Sequence, residues 1–214
     1  MIYTLKKKED KFIDKIYMDS MKDLNKFYGI GWKHGRPSVI IVQSRKEIDE
    51  IKDMKSERWI VGWTYSNKLI FVLDRKKFGK ESNHKYFTDK TYEALLKHEI
   101  SHAFYSILSS RKTSPRWLCE GVAIYTSGQN KFKKPITKFN NFLSFYDNGG
   151  GDIYYESGFA IEVLVKKYGK KKLLKLISSL KTVRNKNDFS KLFNKIYGFR
   201  LSYKKFNSLL KEIR

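Results

Sequence analysis

The chain has 214 residues, 45 of them lysine or arginine and 22 aspartate or glutamate, and its formal net charge is +23. Its length suffices for one domain with a proper core, and its 41% hydrophobic residues argue against disorder as the main state. A single cysteine, Cys119, excludes an internal disulfide framework and favours a reducing compartment. Without a signal-peptide pattern or a run of about 20 apolar residues, we expect no transmembrane segment and a soluble, cytoplasmic protein.

The excess of positive charge has two interpretations. It predicts contact with a polyanion, such as nucleic acid, an anionic membrane surface or an acidic substrate. It is also typical of a solvated, lysine-rich surface. We favour the second interpretation, because lysines are spread through every segment and no nucleic-acid-binding motif is recognisable.

The first half of the chain is predicted to mix helices and strands. Apolar residues at helical spacing predict a first helix over residues 5–28. A capping box from Ser44 to Glu47 opens a second helix that runs to about Met54. Short runs rich in β-branched and aromatic residues predict three strands, at 38–43, 58–63 and 68–74. A polar loop, 75–88, is expected to follow them.

From residue 89 onwards the pattern is helical. A long helix is predicted from about Asp89 to Leu108. Its apolar positions recur at helical spacing and are expected to face the core: Leu96, Ile100, Ala103, Phe104 and Ile107. Ser114 as N-cap and Pro115 at the first helical position predict the next helix, which runs to about Thr126.

The C-terminal part is predicted to begin with an irregular segment, 129–151, whose glycine-rich end is a hinge or a linker. Further helices are expected at 154–169, at 171–180, at 188–198 and from Ser202 to the C-terminus. This order predicts an α+β fold, with a small mixed or antiparallel sheet followed by a helical C-terminal lobe. Residues 1–128 contain the N-terminal helix, the sheet and the two helices predicted at about 89–108 and 115–126. Residues 129–214 contain the irregular segment and the helical lobe. We expect them to form one continuous domain.

Two histidines mark the long helix, within the sequence LLKHEISHAFY. His98 and His102 are four residues apart, so they project from the same helical face about one turn apart. Two imidazoles at this separation can bind one metal ion. Glu99 is rotated by roughly 100° from His98, because a helix has 3.6 residues per turn. Its carboxylate can therefore flank the metal without binding it, and can accept a proton from water.

A catalytic zinc site needs three protein ligands and one open position. The chain has four histidines, and none follows His102. The third ligand must therefore be an acid or the lone thiol. Glu120 lies 18 positions after His102, on the helix predicted to fold back against the first, and Cys119 precedes it. Adjacent helical residues point about 100° apart, so only one of these two can face the metal. Gly121 is expected to let this helix press close to the first.

The segments HEISH (98–102) and PRWLCEGVAIY (115–125) together resemble the gluzincins, the metallopeptidases that bind zinc with two histidines and a glutamate. They are most similar to the small peptidase-MA-like domains, whose glutamate segment reads W-L-x-E-G-x-A. The resemblance covers about residues 38–210 and is strongest over 98–126. It implies a zincin active-site helix and one Zn²⁺ bound by His98, His102 and Glu120. Glu99 would be the acid/base in the hydrolysis of a peptide or protein substrate.

The same resemblance implies a tyrosine that stabilises the oxyanion, at the start of a helix that ends in Tyr-Gly. Tyr154 is our first choice, because it lies 14 residues before Tyr168, and Tyr155 is the second. It also implies that the substrate backbone binds along an edge strand above the active-site helix, supplied by 58–63 or by 68–74.

The sequence departs from the family pattern in two respects. The Gly-x-Met-x-Asn motif that holds the substrate amine in the aminopeptidases is missing. Ile124 stands where thermolysin-type enzymes have an aspartate that orients a histidine, so the sequence does not identify the partners of the metal ligands.

Two alternatives to a peptidase remain at this point. The chain can be a non-catalytic, gluzincin-fold binding module whose basic surface contacts nucleic acid or protein partners. It can also hold a structural zinc ion, a type of site that usually has four protein ligands, with Cys119 as the only thiol to complete it.

Overall fold

The computed structural model describes residues 6–84, 87–150 and 152–214. These residues are about 60% helical and form nine α-helices and a small three-stranded mixed sheet, which confirms the α+β class. In chain order the elements are α1 Lys11–Tyr28, β1 Ser38–Val42, α2 Arg45–Lys52, β2 Gly62–Tyr65, β3 Leu69–Leu73, α3 Arg75–Glu81, α4 Asp89–Leu108, α5 Arg116–Ser127, α6 Ile153–Tyr168, α7 Lys170–Ser178, α8 Lys186–Tyr197 and α9 Tyr203–Glu212. Short 3₁₀ helices cover Gln129–Phe132, Phe142–Ser144 and Ser179–Thr182.

The sheet has the strand order β1-β3-β2. β1 runs parallel to β3, and β2 runs antiparallel to it, with Gly62 opposite Val72 and Tyr65 opposite Leu69. The sheet is therefore mixed. The strand predicted at 68–74 is central, so it cannot supply a free edge. The strand predicted at 58–63 begins later, at Gly62, and forms one edge of the sheet beside α4.

The sequence missed α3, which replaces the first half of the predicted polar loop. Its seven residues, RKKFGKE, contain one buried apolar side chain, Phe78, so they carry no helical periodicity. The helix is started by Asp74, whose carboxylate accepts a hydrogen bond from the backbone N–H of Lys76 at 2.7 Å. A local polar cap and one buried apolar side chain are therefore enough to form this short helix.

The predicted cap of α5 is wrong. Pro115 is itself the N-cap, without a side-chain hydrogen bond, and the hydroxyl of Ser114 donates instead to Asp147. The N–H groups of Arg116 and Trp117 donate to the backbone carbonyls of residues 146 and 145, at 2.7 and 3.0 Å. The segment before α6 thus folds back and caps α5 with its main chain.

The segment 129–151 has little regular structure, as expected, but its described part is packed rather than linker-like. Phe139 and Phe142 are fully buried. The carboxylate of Glu156, on α6, accepts hydrogen bonds from the backbone N–H groups of residues 140, 141 and 142 at 2.9 to 3.1 Å. One buried acid therefore fixes the course of this segment over the helices.

α5 lies between α4 and α6, and Gly121 determines how closely α6 approaches. A Cβ atom at Gly121 would lie 2.6 Å from the carbonyl oxygen of Ser157 and 2.8 Å from a side-chain carbon of Ile161. The glycine therefore serves the contact with α6, whereas the sequence assigned it to the contact with the first site helix. Among the described residues, none of the helices combines the length and the apolar character that crossing a membrane requires.

Replacing Gly121 with alanine is expected to destabilise the protein, because the new methyl group would push α6 away from α5. We expect the free energy of unfolding to fall by about 1–3 kcal/mol, measured by urea denaturation. Gly79→Ala is the matched control, since Gly79 also lies in a helix and no atom lies within 4 Å of its added Cβ. Equal stabilities of the two variants would contradict the close contact.

Candidate metal centre

The geometry of α4 begins with its N-terminal cap. The hydroxyl of Thr88 accepts a hydrogen bond from the N–H of Thr91, and the Thr91 hydroxyl accepts one from the N–H of Thr88. Four of the five predicted core positions are fully buried: Leu96, Ile100, Ala103 and Phe104. The prediction for the fifth, Ile107, is wrong: it is 37% exposed, although Tyr105 and Ser109 on either side of it are buried, so it lies on the solvent side of the last turn. The buried face fixes the rotation of α4 and turns the two histidines towards α5.

Three ligand atoms converge between α4 and α5. The Nε2 atoms of His98 and His102 are 3.0 Å apart, and Oε2 of Glu120 lies 3.4 and 3.3 Å from them. Bond lengths of about 2.0–2.1 Å in a tetrahedral zinc site place neighbouring ligand atoms about 3.3 Å apart. Oε2 of Glu120 is buried and has no hydrogen-bond partner of good geometry in the described structure. The size of the triangle and this unsatisfied oxygen both fit a divalent cation such as zinc.

The outward-facing ring nitrogens of both histidines also have partners. Nδ1 of His98 lies 3.0 Å from the amide oxygen of Gln129, and Nδ1 of His102 lies 3.4 Å from the sulfur of Cys119. An amide oxygen can only accept a hydrogen bond, so it places the proton of His98 on Nδ1. Nε2 is then left with a free lone pair that faces the centre. Cys119 lies behind His102, away from the triangle, while its neighbour Glu120 faces into it.

Arg116 holds the third candidate ligand, Glu120. Its guanidinium donates a 2.8 Å hydrogen bond to Oε1 of Glu120, so only Oε2 remains for a metal ion. Gln129, Cys119 and Arg116 were not predicted from the sequence as partners of the candidate ligands. The spacing of Arg116, four residues before Glu120 on one helix, was the signal that could have identified it.

Protonation of the centre is set by burial and by the charges within it. Burial alone would lower the pKa of His102, but the carboxylate of Glu120 and the nearby Cys119 raise it well above its usual value. Burial would likewise raise the pKa of Glu120, yet the two histidines lower it well below its usual range. Before a cation binds, the pair therefore retains a proton on imidazole.

Glu99 lies outside the ligand triangle, as its rotation on the helix predicts. Its buried carboxylate accepts a hydrogen bond from the hydroxyl of Thr64 at 3.0 Å, and the same hydroxyl lies 2.8 Å from the backbone carbonyl of Glu99. A Cβ atom on Gly62 would lie 3.2 Å from Oε1 of Glu99. The carboxylate is therefore held against the edge strand β2.

Of the two candidate tyrosines, only Tyr154 is beside the centre. Its ring centroid lies 6.3 Å from that of His98 and 6.0 Å from that of Trp59, which the sequence analysis did not include. Burial raises the pKa of Tyr154 far above its usual value, and the carboxylates of Glu120 and Glu99 raise it further, so its hydroxyl remains a proton donor. Tyr155 is 49% exposed and lies in a surface cleft with Asp152.

Comparison of the chain with models of known protein families, with curated proteins and with solved structures gives no match. Evidence on function therefore comes from the geometry of this centre and from the resemblance of its two motifs.

Loss of the Gln129 amide is expected to weaken zinc binding, because the ring of His98 would lose the acceptor that fixes its tautomer. We expect Gln129→Ala to lower zinc affinity by about 10- to 100-fold in a chelator competition titration. Gln43→Ala, at an exposed position, should bind zinc like the wild type. Unchanged affinity of Gln129→Ala would show that the contact with His98 has no role in metal binding.

Zinc binding is expected to release the proton that the pair of His102 and Glu120 retains. Since the pKa of His102 is raised, apparent affinity should increase with pH until the pH exceeds this raised pKa, and should fall at lower pH. Calorimetry in buffers of different ionisation enthalpy measures the number of protons released. Release of almost no protons per zinc ion at pH 7 would contradict the prediction that His102 and Glu120 share a proton before zinc binds.

Proposed function

We propose that the chain is a zinc-dependent peptidase of the gluzincin type, which hydrolyses peptide bonds in peptide or protein substrates. The observation that carries the proposal is the triangle of two imidazole nitrogens and one carboxylate oxygen. A second buried carboxylate, that of Glu99, follows His98 directly in the chain and is held by Thr64. The unsatisfied oxygen of Glu120 supports a metal ion in the triangle. The resemblance of the two motifs supports a peptide substrate.

In this proposal each residue has one task. His98, His102 and Glu120 would hold a zinc ion, which when bound would supply a Lewis acid for the attack of water on the carbonyl. Because Thr64 holds Oε2 of Glu99, Oε1 receives the proton of the attacking water and later delivers it to the leaving amine.

Tyr154 and the strand beside the site complete the proposed mechanism. The buried, protonated hydroxyl of Tyr154 donates a hydrogen bond to the oxygen that becomes negative during the attack. The outer edge of β2 has no paired strand in the described part of the chain, and Glu99 lies against this strand. An extended substrate added antiparallel to β2 would be bound mainly through its backbone.

The position of Glu99 favours a peptidase over a non-catalytic binding module. Burying a carboxylate is costly, and the hydroxyl of Thr64 and the positive charge of Lys52 offset part of the cost. A carboxylate kept buried next to His98 in the chain is suited to proton transfer, whereas a non-catalytic module has no use for it. The position of Cys119 argues against a structural zinc site, because its sulfur contacts the far nitrogen of His102 and completes no tetrahedron.

The decisive variant is Glu99→Gln, which keeps the size of the side chain and removes its ability to accept a proton. We expect it to retain one zinc ion per chain by elemental analysis, while hydrolysis of a peptide library by the zinc-loaded protein falls by about 10²- to 10⁴-fold. Glu93→Gln is the matched control, since Glu93 is an exposed glutamate on the same helix.

Cleavage by Glu99→Gln at the wild-type rate would refute the assigned role of this residue. A zinc-loaded wild type that leaves the library intact and retards nucleic acid in a salt-sensitive way would instead support the binding module.

A further inference from the structure

Lys133 differs from most lysines of this chain because its side chain is turned inwards. It follows the 3₁₀ helix Gln129–Phe132, whose first residue contacts His98. Its ammonium donates a hydrogen bond to the backbone carbonyl of Tyr154, in the first turn of α6. Burial lowers the pKa of Lys133 to about 8, although the negative charge of Glu120 raises it. The neighbouring Lys134, by contrast, is exposed.

The ammonium of Lys133 has no counter-ion in the described structure. An ammonium has three N–H donors, and the only hydrogen bond found for Lys133 there uses one of them, on a neutral carbonyl. The carboxylate of Glu120 acts on Lys133 only from a distance, because its Oε1 binds Arg116, its Oε2 faces the ligand triangle, and neither forms an ion pair with Lys133 in the described structure. A partly desolvated cation without an anion is costly, so this position favours an anion that arrives with a ligand.

The location of Lys133 defines which part of a ligand it can meet. Its ammonium is hydrogen-bonded to the backbone carbonyl of Tyr154, whose ring is near those of both His98 and Trp59. The charge of Glu120 also acts on this ammonium, so Lys133 is within electrostatic reach of the ligand triangle. A peptide bound at the triangle would therefore present groups that flank its scissile carbonyl to Lys133.

We propose that Lys133 binds a carboxylate of the substrate close to the scissile bond, so that the site selects acidic peptides. The carboxylate is either an aspartate or glutamate side chain or the C-terminal carboxylate of the substrate. This inference deepens the proposed peptidase function and rests on it. Because the hydrogen bond is charge-assisted and partly shielded from water, it confers more selectivity than a lysine on the open surface.

A purely structural role for Lys133 makes a different prediction. A lysine that only tethers the segment after α5 to the first turn of α6 would affect neutral and acidic ligands equally. The test must therefore compare ligands that differ only in charge.

The experiment uses the zinc-loaded Glu99→Gln protein, which is expected to bind peptides without cutting them. Fluorescent peptides are compared in pairs by anisotropy: glutamate against glutamine near the centre, and a free C-terminus against an amide. At 0.5 M salt, which screens the exposed charges, we expect about tenfold tighter binding of the preferred carboxylate peptide. Adding Lys133→Met should remove this preference and change the affinity for neutral peptides less than twofold.

Two further variants are the controls. Lys134→Met removes the same charge from an exposed neighbour and should keep the preference, and Lys133→Arg should retain most of it. If Lys133→Met loses the preference only in the glutamate and glutamine pair, the group that Lys133 binds is a side-chain carboxylate. If it loses the preference only in the pair with a free or amidated C-terminus, that group is the C-terminal carboxylate.

Three outcomes would overturn the proposal: no preference in the parent protein, equal losses for Lys133→Met and Lys134→Met, or equally weakened binding of neutral and acidic peptides. Failure of the proposed function looks different. A wild type that prefers carboxylate peptides through Lys133 and cuts none of them would contradict the peptidase and leave the carboxylate site standing.

Discussion

The arrangement of the helices around the candidate site follows from one buried carboxylate. Glu120 is 3% exposed, and the negative charge of its side chain has to be balanced inside the protein. Two imidazoles on α4 and a guanidinium one turn before Glu120 on α5 provide this balance. Such a balance holds only if α4 and α5 keep a fixed distance and rotation, which the packing of α5 between α4 and α6 maintains. Electrostatics and helix packing therefore support each other here.

The parts of the site that the sequence predicted are those that depend on local periodicity. The spacing of His98 and His102 fixes their common face, and the rotation of Glu99 follows from the same helical geometry. For the third ligand, helical periodicity did not distinguish between two neighbouring candidates, Cys119 and Glu120. Tertiary packing turns Glu120 inwards and places Cys119 behind His102. The secondary structure was predicted best where apolar residues recur regularly, as in α4.

The features that the sequence did not reveal depend on contacts between distant segments. The main-chain cap of α5 requires the carbonyls of residues 145 and 146, about thirty positions further along the chain. The contact between Gln129 and His98 likewise joins a 3₁₀ helix to α4. Neither contact produces a residue pattern that can be recognised in a single sequence. The order β1-β3-β2, which leaves β2 rather than β3 at an edge, is also a property of strand pairing and not of the strands themselves.

The cap of α5 links the centre to the irregular, packed segment that precedes α6. Arg116 and Trp117 start the helix that carries Glu120, and within the described residues their N–H groups donate to the carbonyls of residues 146 and 145. Sequence change in that segment is thus constrained in two ways. Its buried side chains, such as Phe142 and Tyr146, have to fit the core. Its length has to be kept as well, because insertions and deletions would shift the two carbonyls away from the start of α5.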